Sequence, residues 1–427
     1  MMGLFKVYKN STLFHRLVSI LSIDILVKAS GFILLPIYLR LMTQDEFGLY
    51  NYILAIVQTF SLVLNLGLYI PQTKLYHTYT SSTEKGQLLF TINATLLGAV
   101  TFLCTVFYLF GLDDWLIKVL FGGEDYKKYK LFIGMALIIS VFTFMLSNFF
   151  YTSEKIRHVK AYNIYRIFGV NIFSLMALYF FASDSVSLRL GFTYGVEFLI
   201  LCVFGVFFVK EIVPVYNGYM MKKSFRMGLP IMLSAVFGII VNFGDKFLLQ
   251  RYGSLADLSN YFLAFSFASV IPLIFGSLQN VWLPIFIKEK DVQKNFEKTR
   301  RLIPKLLLMF LVIAVGIWLL FMLLLWVGVI PSKYDGVQWI LPLLLITQTL
   351  AAITPMFSNY LVYFERTDLV SVSGLFVGVI SIALGLWLIP SLGVLGAAIT
   401  TLIVNSVYLI LYYYLVSFLK KKHLVTR

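Results

Sequence analysis

A handful of ionisable side chains stand inside stretches otherwise built of Leu, Ile, Val and Phe, and their chemistry has to be explained first. Lys28 lies near the middle of the apolar run 18–39, and Asp24 precedes it by four residues, on the same helical face. A charged side chain at the centre of a membrane span costs at least about 2.5–3.5 kcal/mol, so each one needs a partner or a task. Two readings of Lys28 are open: a local pair with Asp24 that neutralises itself, or a cation offered to an anionic substrate and tuned by Asp24. Asp245 and Lys246 occur near the outer end of a later run, in NFGDKFLLQ. Lys246 is long enough to snorkel toward water, whereas Asp245 is too short to do so readily. Glu197 stands alone within the run 188–209 and is a candidate proton carrier, because a buried carboxyl can titrate near neutrality. Arg40 and Arg251 close the outer ends of two runs, where a guanidinium could hold a phosphate bidentately or could simply anchor a helix end. Asn148 and Asn359 end two further runs and suit either sugar hydroxyls or hydrogen bonds between helices.

The elements that must position these residues follow from composition. The chain has 427 residues, 60% hydrophobic and only 13% charged, with a mean hydropathy of +0.87. Apolar runs recur at 18–39, 48–72, 86–110, 130–152, 164–183, 188–209, 228–249, 259–287, 304–328, 339–364, 370–390 and 394–417. Each is long enough to cross about 30 Å of hydrocarbon as a helix, and in that layer the backbone polar groups must be satisfied internally. The alternating ten-residue pattern of a transmembrane β-barrel is absent. The expected fold is therefore all-α and integral to the membrane, with about twelve transmembrane helices. Cys104 and Cys202 both fall inside apolar runs, so they are read as small buried hydrophobes rather than as a disulfide or metal pair. Trp115, Trp282, Trp326 and Trp339 are expected in the interfacial belts.

The formal net charge of +15 sits between the spans, so it sets orientation and implies no nucleic-acid partner. The groups Lys6 to Arg16, Lys74 and Lys85, Lys155 to Arg166, Lys210 to Arg226, Lys288 to Lys305, Arg366 and Lys420 to Arg427 all fall on one side, against Arg40, the Lys118 to Lys130 group, Arg189, Arg251 and Lys333 on the other. By the positive-inside rule the first side is cytoplasmic and carries both termini. The segment KEKDVQKNFEKTRR from Lys288 is read as an ordinary topology loop, anionic lipid heads being the alternative.

The chain also repeats itself. A shift of 211 residues lays Arg40, Thr43, Glu46 and Tyr50 on Arg251, Ser254, Asp257 and Tyr261, and lays SNFFYTSEK from Ser147 on SNYLVYFER from Ser358. One offset serving two distant segments implies duplication, giving a six-helix lobe over 1–217 and another over 218–427. An even number of helices per half makes the repeats parallel, related by an axis along the membrane normal and enclosing a central cleft. Lys28, Asp24, Asn148 and Asn359 are expected to line that cleft as the substrate site, with Arg40, Arg251 and Lys246 as cations at its outer mouth. Asp24, Glu197 and Asp245 are the candidates for ion coupling. No Gly-rich phosphate loop, HExxH or GxSxG pattern is present and the four histidines are dispersed. The chain reads as no enzyme and as needing no cofactor.

Three segments carry a family resemblance. KASGFILLPIYLRLMTQDEFGLYNY from Lys28, GLPIMLSAVFGIIVNFGDKFLL from Gly228 followed by NYFLAFSFA from Asn260, and LIPSLGVLGAAITTLI from Leu388 together resemble polysaccharide flippases of the Wzx type, within the multidrug/oligosaccharidyl-lipid/polysaccharide exporter superfamily. The resemblance covers nearly the whole chain, and its motifs identify the superfamily better than the cargo. It implies translocation of a polyprenyl-pyrophosphate-linked oligosaccharide from the cytoplasmic to the outer leaflet of the bacterial inner membrane by alternating access, coupled to an H+ or Na+ gradient, for O antigen, capsule or another surface polymer. It also places Asp245 at the family's usual Asp position. The membrane lipids are the remaining partners. A multidrug exporter of the same superfamily is the alternative, although it would want acidic groups for cationic drugs. A lipid-linked peptidoglycan-precursor flippase usually has fourteen helices, and a membrane-embedded glycosyltransferase or polymerase would carry a large loop with catalytic carboxylates.

Overall fold

A computed structural model describes residues 30–123, 125–181, 183–289, 291–364 and 366–425. Among them the regular structure is helical: α1 (Ser30–Leu41), α2 (Gln44–Leu64), α3 (Tyr69–Thr78), α4 (Ser82–Leu109), α5 (Leu112–Phe121), α6 (Lys130–Thr152), α7 (Ile156–Phe180) and α8 (Ser185–Val209). There follow α9 (Gly218–Tyr252), α10 (Leu255–Ala268), α11 (Val270–Lys288), α12 (Val292–Trp326), α13 (Val337–Tyr363) and α14 (Thr367–Val425). Ten stretches of these are long and apolar enough to cross a membrane. The last of them, α14, is two helices joined at Gly393, whose φ of 56° lies in the left-handed region that a side chain resists. With α1 as the described end of the first expected run, the chain is the all-α, multi-pass membrane protein anticipated from its hydropathy.

The described chain divides into two compact units. One comprises the residues up to Met42 together with Ile53–Val236, and the other comprises Thr43–Tyr52 with the residues from Phe237 onward. In the first, α8 packs along both α7 and α6, and α6 also meets α3. Its aromatic core stacks Tyr162 edge-on to Phe204 at 5.3 Å and Phe149 edge-on to Phe208 at 5.0 Å, arrangements that add about 0.5–1.5 kcal/mol per pair beyond burial. The break between α2 and α3 passes through Gly67, where a Cβ would stand 2.2 Å from the Gly228 carbonyl oxygen, so only glycine permits that approach.

In the second unit α13 is central, touching α10, α11, α12 and α14. Tyr360 meets the Phe286 ring edge-on at 4.6 Å and shares a 2.8 Å hydrogen bond with Thr299. The pairs Thr43/Glu46 and Ser254/Asp257, matched by the 211-residue shift, acquire a physical meaning here, because both are capping boxes. The Glu46 carboxylate accepts from the Thr43 N–H at 2.8 Å while Thr43 Oγ1 accepts from the Glu46 N–H at 3.2 Å. Asp257 accepts from the Ser254 N–H at 3.0 Å and returns its own N–H to Ser254 Oγ at 3.0 Å. Each box satisfies two donors that would otherwise be orphaned at a helix start.

Several expectations are corrected. Cys104 and Cys202 are exposed, not buried, on faces of α4 and α8; a membrane lets a small apolar thiol face lipid. Trp115, Trp326 and Trp339 are exposed near helix ends as a belt requires, but Trp282 is partly buried and packs on Phe286 at 6.3 Å. The basic stretch from Lys288 is largely the first turns of α12, capped by Asp291, with Glu289 pairing to Lys298 at 2.7 Å and Lys294 at 3.7 Å. The hydrogen bond from Lys298 is the main reason the Glu289 carboxyl titrates below its ordinary value.

Candidate functional site

The register of α8 is fixed at its start. Asp184 accepts from the N–H groups of Val186 and Ser187 at 3.1 and 3.4 Å, and its other oxygen accepts from Lys128 Nζ at 2.6 Å and Tyr129 Oη at 2.9 Å. Burial alone would raise the Asp184 carboxyl, but the bonds from Lys128, Tyr129 and Ser187 together outweigh it and hold the group below its ordinary value. A helix so anchored over Ser185–Val209 carries Glu197 at its midpoint. Its neighbour α7 begins at Ile156, which puts Arg166 near mid-helix as well. The two meet: Arg166 Nε donates to Glu197 Oε1 at 2.7 Å. Glu197 is therefore not alone, and Arg166 is a mid-span cation rather than a charge at a span's cytoplasmic edge.

The pair is asymmetric in a way that bears on chemistry. The Glu197 side chain is 7% exposed and the Arg166 side chain 42% exposed. Only Nε of the guanidinium is engaged, and its two terminal amino groups have no acceptor among the described residues. The buried carboxylate thus orients a fork of N–H donors that remains available. Such a fork matches a phosphate oxygen pair and is roughly twice as strong as neutral hydrogen bonding. Sequence reading missed Arg166 as a site residue because IRHVKAYNIYR is too polar for a hydropathy window. The signal was there in the three-residue spacing of Ile156, Val159 and Tyr162, of which Val159 and Tyr162 are buried.

A second buried ionic cluster occupies α9 and α10 in the other unit. Lys246 Nζ lies 3.1 Å from Asp245 Oδ1, donates to the Asn242 carbonyl at 2.8 Å, and stands 4.9 Å from the Phe265 ring centroid. The Tyr261 hydroxyl donates to Asp245 Oδ2. Asp245 and Lys246 are buried and Tyr261 is fully so. Lys246 does not snorkel; it folds back onto the carboxylate beside it.

The remaining sequence candidates are placed as follows. Arg40 and Arg251 are each the penultimate residue of their helices, α1 and α9, and both are exposed, where a cation also complements the helix C-terminal dipole. Asn148 Nδ2 donates to the Tyr69 carbonyl at 3.1 Å and its Oδ1 accepts from Thr73 Oγ1 at 3.3 Å, so it ties α6 to α3. Asn359, which the 211-residue shift lays on it, has a buried Nδ2 without a hydrogen-bond partner among the described residues. Asp24 and Lys28 lie outside the described residues. No group of three or more His, Cys, Asp or Glu side chains that could hold a metal occurs among the described residues.

Comparison with known proteins agrees with this architecture. A family model described as "Polysaccharide biosynthesis protein" matches residues 15–290. No curated protein sequence matches the chain. Among solved structures, the lipid II flippase MurJ in an inward closed conformation superposes with a TM-score of 0.68 at 17% identity, covering 92% of this chain and 87% of that one. An inward-facing multidrug resistance MATE family transporter of the MOP superfamily gives a TM-score of 0.72 at 13% identity, covering 95% and 96% of the two chains. An outward-facing MATE transporter gives 0.62 at 16% identity, again covering 95% and 96%. At these identities the likeness establishes the shared fold.

Proposed function

Since the chain belongs to the polysaccharide biosynthesis protein family, we propose that it translocates a polyprenyl-pyrophosphate-linked oligosaccharide from the cytoplasmic to the outer leaflet by alternating access. It acts as a transporter, with no bond made or broken in the cargo. The fold shared with a lipid II flippase supports a lipid-linked sugar as substrate, and the inward- and outward-facing forms of the MATE transporters support alternating access. The observation that carries the cargo assignment is Arg166, a guanidinium oriented by Glu197 at mid-span with its terminal amines uncommitted. An anion shedding water to cross a low-dielectric layer needs such fixed donors, and a cationic drug would be repelled by them. Lys28 is the second cation of this reading, with Asp24 tuning it, and the unpartnered Nδ2 of Asn359 is the amide we assign to the sugar. Coupling to H+ or Na+ is assigned to Asp24, Glu197 or Asp245.

The test is reconstitution into liposomes, following access of a fluorescent polyprenyl-pyrophosphate saccharide to an external quencher, with a cationic dye exporter assay in parallel. Accelerated flipping of the lipid-linked saccharide without dye transport is expected, and Lys28→Ala should slow it sharply while Lys28→Arg retains part of it. Dye transport with no lipid flipping would establish the multidrug alternative instead.

Placement in a bacterial inner membrane with both termini cytoplasmic belongs to the same proposal and rests on the charge asymmetry of the loops. Single cysteines substituted into a variant lacking Cys104 and Cys202 should be labelled by an impermeant maleimide in intact cells at positions 125 and 332. Position 294 should be protected until the membrane is breached. Labelling of position 294 in intact cells would reverse the orientation.

A further inference from the structure

We propose that the face of α8 turned toward α6 and α7 is the binding groove for the polyprenyl tail of the cargo, an inference that rests on the transport reading above. An open groove of about 970 Å³ runs along this face, walled by Phe132 of α6 and by Tyr165 and Phe173 of α7. Along α8 its floor repeats every four residues, through Ser187, Gly191, Gly195 and Leu199 to Val203, so it follows one stripe of the helix. The glycines make it deep: a Cβ at Gly195 would project into open space, while one at Gly191 would already touch Phe132 at 3.3 Å.

Length selects the occupant. From Ser187 to Phe204, seventeen residues at the helical rise span about 26 Å, close to the full hydrocarbon thickness of about 30 Å. A phospholipid acyl chain reaches through one leaflet and would fill about half of it. A long polyprenyl chain crosses both. The lining is almost wholly apolar; Ser183 and Ser187 at one end lie beside the Lys128–Asp184 pair where the span meets water, and Tyr165 carries the remaining hydroxyl toward the other end.

Charge complementarity completes the argument. Val196 lines the groove near its middle and Tyr165 lines it toward the Phe204 end, the Tyr165 and Phe204 rings being 6.2 Å apart, and the immediate chain neighbours of Val196 and Tyr165 are Glu197 and Arg166. On both helices, apolar wall and ionic pair are consecutive residues. An amphiphile with a long hydrocarbon tail and an anionic head is what such a pairing recognises. The tail held in the groove keeps the pyrophosphate beside the oriented guanidinium during its passage, which offsets the entropy of capturing a diffusing head group.

The experiment uses the full chain in nanodiscs and a long-chain polyprenyl monophosphate carrying a terminal diazirine, a probe without sugar. Photolabelling should map to α8 and α7 peptides. Gly195→Leu places a side chain in the open groove and displaces several methylenes of the tail, each contributing about 0.8 kcal/mol when buried, so labelling should fall by about tenfold or more. Leu199→Trp, at an exposed position, should act likewise without touching the helix packing. Unlabelled polyprenyl phosphate should compete far better than phosphatidylglycerol. Undiminished labelling in both folded variants, or equal competition by phosphatidylglycerol, would overturn the groove assignment. Saccharide flipping by the wild type alongside either result would leave the transport reading intact. Groove labelling without saccharide flipping by the wild type would sustain the tail site and remove the transport reading.

Discussion

Replacing Arg166 by Ala should reduce polysaccharide export to background in a deletion strain complemented at matched membrane abundance. The two terminal amines of the guanidinium can each give a charged hydrogen bond of about 1.5–3 kcal/mol to a pyrophosphate, so their loss corresponds to a rate or affinity deficit of about 10² or more. Arg166→Lys keeps the charge but not the fork and should fall between. Arg166→Ala also strands Glu197, which is buried, and an unpaired buried carboxylate costs about 3–5 kcal/mol. The double variant Arg166→Ala/Glu197→Ala removes that penalty. It should regain membrane abundance and thermal stability but not export. Normal export from the double variant would show that the pair serves only to hold α7 against α8.

This prediction depends on a residue that linear reading classified with the cytoplasmic loops, and the reason is physical. A hydropathy window sums polarity along the chain, whereas a helix distributes it around an axis. Arg157, Lys160 and Arg166 made 156–166 look like a loop, yet Val159 and Tyr162 bury one face of the same turns. Glu197 looked solitary because its partner is 31 positions away in sequence and adjacent only in space. The apolar spans, by contrast, were legible because membrane insertion depends on summed hydrophobicity. The pairs Thr43/Glu46 and Ser254/Asp257 were legible for another reason: capping boxes are local chemistry with fixed spacing, so their pattern stands in the sequence itself. Asn148 and Asn359 mark the limit of that approach. They are identical in register, but one spends its amide on a carbonyl of α3 and the other does not.

Removing the charge of Asp245 should have the largest effect on stability. Asp245→Leu leaves the Lys246 ammonium buried with no counter-ion, the Asn242 carbonyl and the Phe265 and Tyr261 faces being what remains. It also strips the fully buried Tyr261 hydroxyl of its acceptor, although the Tyr261 ring itself stays 5.7 Å from the ammonium. A stranded buried charge costs about 3–5 kcal/mol, a large part of the roughly 5–15 kcal/mol available to a folded domain. At about 2–4 °C per kcal/mol, the melting temperature in detergent should fall by roughly 10 °C, with a matching drop in membrane abundance. Asp245→Leu/Lys246→Met replaces both ions with apolar volume and should restore most of the lost stability, since such exchanges are often neutral. If Asp245 carries the coupled ion, the stable double variant will flip lipid only down its own gradient and lose its response to an imposed ion gradient. A single variant that melts at the wild-type temperature would mean that water reaches Lys246.

The bend at Gly393 has a consequence for how the chain gets into the membrane at all. No charged residue separates Asp368 from Lys420, and the reversal within α14 is made by a few residues around Pro390 and Gly393 with no polar loop. At Gly396 a Cβ would stand 2.2 Å from the Leu388 carbonyl oxygen, so the two limbs are pressed together from their first residues. A segment with nothing hydrophilic at its far end gives the insertion machinery no reason to hold it in a transmembrane position by itself. The expected outcome is that the limb before Gly393 waits, and that the two limbs enter the bilayer as one hairpin once the second has been synthesised. The lysines from Lys420 onward therefore set the orientation of both limbs at once, and a ribosome halted shortly after Gly393 should leave the first limb extractable by alkali, while one halted beyond Lys422 should leave it embedded.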